Sequence, residues 1–81
     1  MAHASPSSLD TLEPLLTELR KLGVIEKSRG IFYTKRGAFL HFHEDESGIW
    51  ADVKCPDGWE RLAANSKSDY EKVIALAKAQ R

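Results

Sequence analysis

Residues 37–55 read GAFLHFHEDESGIWADVKC, two runs of alternating side chains separated by polar turn residues at 45–48. Alternation places every second side chain on the same face of a β-strand, and a short polar connection favours an antiparallel hairpin. A four-residue loop at 45–48 sets Leu40 opposite Val53, and most apolar side chains of both runs then share one face. A shift of one residue would put polar groups among them. The stretch therefore predicts a central hairpin with one side turned to the core.

Two more strands extend this hairpin in the predicted sheet, and all are rich in aromatic and branched residues. The four strands are predicted over residues 31–35, 38–44, 49–55 and 59–63. A two-residue turn at Arg36-Gly37 pairs Tyr33 with Leu40. The core-facing set then consists of Ile31, Tyr33, Ala38, Leu40, Phe42, Ile49, Ala51, Val53 and Cys55.

The turn before the last strand leaves two registers open. A two-residue turn at 57–58 sets Lys54 opposite Arg61, which brings two positive charges together. A three-residue turn sets Lys54 opposite Glu60, which is favourable. We favour the second register, and it places Trp59 and Arg61 on the core side of the sheet.

A helix is predicted on each side of the strand region. Asp10 as N-cap and Glu13 three residues later form a capping box, and leucines at helical spacing follow, which predicts a helix over 11–22. A second capping box begins at Ser68 and predicts a helix over 69–80.

The predicted architecture is a single α+β domain over residues 9–81, preceded by a flexible tail over residues 1–8. Its element order is α-β-β-β-β-α, an antiparallel sheet of three to four hairpin-connected strands with the N-terminal and the C-terminal helix packed on one face. Residues 24–29 fit either a short edge strand or a loop.

The amino-acid composition disfavours one class of binding protein and excludes two kinds of cysteine site. The chain has 81 residues, and its 12 basic and 12 acidic side chains give a formal net charge of zero. Dedicated binders of duplex DNA usually carry an excess of basic charge. Cys55 is the single cysteine, which excludes an intramolecular disulfide and a cysteine-rich zinc site. No secretory signal or membrane-spanning run is visible, so a cytoplasmic location without membrane contact is expected.

The face opposite the predicted core is the candidate functional surface. In this register His41 lies opposite Asp52 and His43 lies opposite Trp50. A contiguous patch of exposed aromatic side chains is typical of an interaction site. The candidate binding residues are Phe32, Phe39, His41, His43, Trp50, Asp52 and Lys54.

Three functions are compatible with this surface. The first is a non-enzymatic protein-interaction module, with a protein partner or a second copy of the chain as its ligand. The alternative is a single-stranded nucleic-acid binder that stacks bases on the aromatic rings, although the acidic residues bordering the face disfavour it. The second alternative is a metal or small enzyme site at His41, His43 and Asp52, since two imidazoles and a carboxylate suit zinc or iron. No nucleophile is placed beside this pair of histidines, and no cofactor is expected.

The strand motifs GAFLHFHE at residues 37–44 and GIWADVK at residues 48–54 resemble those of small bacterial proteins of unassigned function. The order of helix, hairpins and helix is also similar to that of the MmcQ/YjbR-like proteins, some of which are described as DNA-binding. The resemblance covers residues 30–80 and rests on the pattern of elements, so it assigns no functional residue.

Overall fold

The computed structural model describes residues 2–81, and within them the chain forms six strands and three helices. In chain order these are β1 Ala2–His3, α1 Pro6–Thr11, α2 Glu13–Arg20, β2 Ile25–Ser28, β3 Ile31–Thr34, β4 Gly37–Asp45, β5 Gly48–Cys55, β6 Gly58–Ala63 and α3 Lys67–Gln80. The strands form one antiparallel sheet in the order β2-β3-β4-β5-β6, and β1 pairs with β4 beyond the end of β3. The predicted α+β class is confirmed, but the predicted strand number was too low.

The central hairpin of β4 and β5 has the predicted register. Leu40 pairs with Val53, His41 with Asp52, and Asp45 with Gly48. The side chain of Asn65 holds the start of β5, because it accepts a hydrogen bond from the backbone N–H of Ile49 at 2.8 Å and donates one to its carbonyl at 3.1 Å. Gly48 permits this approach, since a Cβ there would lie 2.7 Å from the Asn65 oxygen.

The predicted register between β3 and β4 was wrong for two reasons: the turn consists of Lys35 and Arg36, not of Arg36 and Gly37, and a β-bulge in β4 shifts the pairing beyond it by one residue. Phe32, not Tyr33, pairs with Leu40, and Tyr33 pairs with Ala38. Phe39 is the extra residue on β4, and a bulge of this kind reorients the side chains around it. Phe32 is fully buried and Phe39 is 4% exposed in the core, so neither belongs to the predicted binding surface. Tyr33 is half-buried instead.

Both registers considered for the last strand were also wrong. The turn consists of Pro56 and Asp57, so that Lys54 pairs with Trp59 and Asp52 pairs with Arg61. Proline suits the first corner of such a turn, and the like-charge contact of Lys54 is avoided. Trp59 and Arg61 therefore lie on the same side of the sheet as Asp52, away from the core.

The N-terminal segment is more structured than the predicted tail. Ala2 pairs with Glu44 and His3 with His43, and Ser5 then caps α1. Met1, also assigned to that tail, lies outside the described residues. The predicted first helix is divided in two by Leu12, and the predicted cap Asp10 lies within α1.

The second predicted helix begins earlier than its sequence signature suggested. The N-cap of α3 is Ser66, whose hydroxyl accepts a hydrogen bond from the backbone N–H of Asp69 at 3.1 Å. The carboxylate of Asp69 also accepts a hydrogen bond from the backbone N–H of Asn65 at 3.0 Å. Backbone donors at the start of the helix are therefore satisfied with the cap at Ser66, two residues before the predicted cap Ser68.

A single core lies between the sheet and the helices. Leucines of α2 and the buried side of α3 share one apolar cluster with the sheet; its fully buried large side chains are Leu12, Leu15, Leu16, Leu19, Phe32, Leu40, Val53 and Val73. Among the described residues, no helix has the length and apolar character needed to cross a bilayer. We name the side of the sheet opposite the core the histidine face; it carries His3, His41, His43, Trp50, Asp52, Lys54, Trp59 and Arg61.

Candidate metal centre

Three side chains able to ligate a metal converge at the centre of the histidine face. His41 and His43 are two residues apart on β4, so both imidazoles point to the same side of the sheet. Asp52 lies directly opposite His41 on β5. One nitrogen or oxygen atom from each of the three side chains lies within 4.8 Å of the others.

The Nδ1 atoms of both histidines are buried, and neither has a hydrogen-bond partner among residues 2–81. Nδ1 of His43 approaches Oδ2 of Asp52 to 2.9 Å, but the two groups are not aligned as a hydrogen bond. Buried polar atoms in folded proteins nearly always have a partner. A cation between these atoms would satisfy both nitrogens and the carboxylate at once.

The carboxylate of Asp52 is held in its ionised form. Arg61 donates two hydrogen bonds to it, from Nε to Oδ1 at 2.7 Å and from Nη2 to Oδ2 at 2.9 Å. These hydrogen bonds lower the pKa of Asp52 and outweigh burial, which acts in the opposite direction. Each carboxylate oxygen has two lone pairs, so the pairing with Arg61 leaves acceptor capacity on the side of the histidines.

The imidazole of His41 is held in its neutral form. Burial lowers its pKa, and the neighbouring His43 lowers it further, against the opposing effect of Asp52. A metal ligates the neutral imidazole, so the environment of His41 favours the form that can bind one.

Three further side chains adjoin the cluster, and the sequence did not predict them there. The ring of His3 on β1 lies 4.8 Å from that of His43, measured between centroids. Trp59 lies 4.8 Å from His41 by the same measure, and Arg61 contacts Asp52. A two-residue strand such as β1 is too short for alternation to reveal it, and the other two residues depended on the register of β6.

The remaining predicted site residues lie at the margins of the cluster or outside it. Trp50 is half-buried, and its indole N–H donates a hydrogen bond to Oδ1 of Asp45 at 3.2 Å. Lys54 is exposed and pairs with Trp59 towards the turn between β5 and β6. Phe32 and Phe39 belong to the core. The candidate site therefore reduces to the histidines, Asp52 and their immediate neighbours.

Comparison with known proteins yields no match to a family model, to a curated protein or to a solved structure. The resemblance to MmcQ/YjbR-like proteins stays a prediction.

Proposed function

We propose that the protein binds a divalent transition metal of the zinc type, with His41, His43 and Asp52 as its ligands. The observation that carries this proposal is the pair of buried Nδ1 atoms without hydrogen-bond partners in the described chain, beside a carboxylate. Zinc and iron(II) sites use such sets of two imidazoles and one carboxylate. Three protein ligands leave at least one position open for water or another donor.

Metal binding requires the ligand atoms to rearrange, since Nδ1 of His43 and Oδ2 of Asp52 are 2.9 Å apart and other separations are larger. Zinc lies about 2.0–2.1 Å from imidazole nitrogen, which separates the ligand atoms of a tetrahedral site by roughly 3.3 Å. The present separations reach up to 4.8 Å. Rotation of the two half-buried imidazoles about their side-chain bonds can bring these separations to that value without a change in the paired backbones of β4 and β5.

The charges around the site favour moderate affinity. Asp52 brings one negative charge, and the guanidinium of Arg61 bound to it brings a positive one. A cation that enters the site is attracted by the first and repelled by the second. We therefore expect weaker binding than at a closed zinc site with several thiolates.

The test is calorimetric titration of tag-free, chelator-treated protein with Zn²⁺, together with visible absorption of the Co²⁺ form. We expect one equivalent of metal per chain, lost in His41→Ala and in Asp52→Asn while circular dichroism stays that of the folded chain. Asp57→Asn is the matched control, since Asp57 is an exposed carboxylate in the turn after β5. The proposal fails if the wild type binds no zinc, or if Asp52→Asn binds it as well as Asp57→Asn does.

A second candidate is the protein-interaction module, with a second copy of the chain as partner. Trp59, which is 49% exposed on the histidine face, supports it, because large exposed aromatic side chains are typical of contact surfaces. The formal net charge of zero removes the overall repulsion between copies. Nucleic-acid binding has less support, since the stacking surface expected from Phe32 and Phe39 is buried in the core.

A further inference from the structure

We infer that His3 is the fourth ligand of the metal, so that the bound ion fastens β1 to β4. This inference rests on the proposed metal binding by His41, His43 and Asp52. It assigns a role to a residue that lies outside the hairpin on which that site is built.

The imidazole ring of His43 has the rings of both other histidines as neighbours. The ring of His43 lies 4.7 Å from that of His41 and 4.8 Å from that of His3, and the rings of His3 and His41 are 6.4 Å apart. With zinc–nitrogen bonds of about 2.0–2.1 Å, ring centroids in a tetrahedral site are roughly 5 Å apart. Two of the three separations already have this value, and the third needs an inward movement of His3.

The position of His3 permits such a movement. His3 is exposed, and it belongs to a strand of two residues that pairs with the free end of β4. Besides the pairing of β1 with β4, two hydrogen bonds hold the segment that follows His3. One runs from the Ala4 N–H to the carbonyl of Phe42 at 3.2 Å, and the other from the Ser5 N–H to the side chain of Glu44. A short, exposed strand held by few hydrogen bonds opens at low free energy, so its docking is the step that an ion can stabilise.

Simple ring packing is the competing explanation of the contact between His3 and His43, whose planes are 31° apart. His3→Phe separates the two explanations, because phenylalanine keeps an aromatic ring at this position and removes the nitrogen ligands. Loss of a protein ligand weakens zinc binding by about tenfold or more, since even partners of the ligands contribute 10- to 100-fold.

The experiment measures the zinc affinity of the wild type, His3→Phe and His41→Phe by competition with a chromophoric chelator. We expect one zinc per chain for His3→Phe with affinity reduced by about tenfold or more, and no specific binding for His41→Phe. If His3→Phe binds zinc as tightly as the wild type, the inference is overturned and the proposed function stands. If the wild type binds no zinc, the proposed function fails and the inference fails with it.

A second measurement reports on the strand itself. Zinc should slow hydrogen exchange of the Ala4 amide, which is bonded to the carbonyl of Phe42. The same amide should exchange at a zinc-independent rate in His3→Phe, although that variant still binds zinc at a higher concentration. Equal slowing in both proteins would show that β1 is fastened without His3, and this result would overturn the inference.

Discussion

Arg61 and Asp52 form a two-pronged ion pair across β5 and β6, with Nε 2.7 Å from Oδ1 and Nη2 2.9 Å from Oδ2. The side chain of Arg61 is 47% exposed, whereas that of Asp52 is 10% exposed. The pair therefore orients Asp52 towards His41 and His43, and it also places a positive charge next to the proposed metal. The two effects act on metal binding in opposite directions, and they can be separated by substitution.

Replacing Arg61 with Gln removes the charge and should tighten zinc binding by roughly fivefold at low ionic strength, because the repulsion between guanidinium and ion is lost. Arg61→Lys keeps the charge and should show no such gain. The measurement is the zinc dissociation constant at two salt concentrations. The gain of Arg61→Gln should shrink at the higher one, since salt screens charges near the surface.

Arg36→Gln provides the control for this change, because Arg36 lies in the exposed turn between β3 and β4. Its zinc affinity should equal that of the wild type. Weaker zinc binding by Arg61→Gln would contradict the prediction and would show that orientation of Asp52 outweighs the repulsion.

The β-bulge in β4 accompanies the burial of Phe32 in the core, so Phe32 should contribute more to the free energy of unfolding than Tyr33 does. Phe32→Ala should lower the free energy of unfolding by about 3–5 kcal/mol, the usual result of removing a buried phenylalanine. Tyr33→Ala should lower it by less, because Tyr33 is half-buried and packs under the ammonium group of Lys27, 4.6 Å from its ring centroid. Urea denaturation measures both values. The opposite ranking would restore the register in which Tyr33 faces the core.

The sequence predicted the central hairpin correctly because, in both strands, aliphatic residues alternate with polar and aromatic ones, and only one register puts Leu40, Ala51 and Val53 on the same face. It could not predict the bulge, since Phe32, Tyr33 and Phe39 are all aromatic and the alternation reads equally well in either register. Such ambiguity is resolved by packing between elements distant in sequence.

The residues of the candidate site could be predicted from the sequence only where the strands that carry them were predicted in the correct register. His41, His43 and Asp52 lie on the predicted hairpin, and their proximity follows from its register. His3 reaches the cluster through a strand of two residues, and no pattern in so short a segment indicates its partner. The predicted register of the last strand was wrong because it rested on the charge opposite Lys54, whereas the attraction between Arg61 and Asp52 favours the observed register.

Glu26 on β2 gives a prediction for the pH dependence of stability. Burial alone would raise its pKa, but hydrogen bonds from Arg20 at 2.5 Å and from the Gly30 N–H at 2.8 Å together lower it below its ordinary value of 4.5. A lowered carboxyl pKa in the folded state stabilises the fold above the unfolded-state pKa, and this stabilisation is lost as pH falls through the folded-state value.

Glu26→Gln should therefore unfold at a lower urea concentration than the wild type at pH 7, and the two midpoints should approach each other as the pH falls below the ordinary carboxyl pKa of 4.5. Glu46→Gln is the control, because Glu46 lies in the exposed turn between β4 and β5, and its midpoint should follow that of the wild type throughout. A difference between Glu26→Gln and the wild type that persists unchanged at pH 3 would show that the ionised carboxylate is not the stabilising group.

Substitution of Trp59 tests whether the histidine face binds a second copy of the chain. Its side chain is 49% exposed, and its ring lies 4.8 Å from that of His41, so contact between two copies through this face would bury it. If the second candidate function is correct, light scattering should show a dimer at high protein concentration, and Trp59→Ala should remain a monomer because the contact loses its largest apolar side chain. Ile25→Ala is the matched control, since Ile25 is a large apolar residue, 59% exposed on the edge strand β2 and outside the histidine face, and this variant should dimerise as the wild type does. All three proteins are measured with chelator and with zinc. A dimer that forms with zinc alone would reflect metal bridging between copies, and a wild-type monomer under both conditions would exclude self-association as the function of this face.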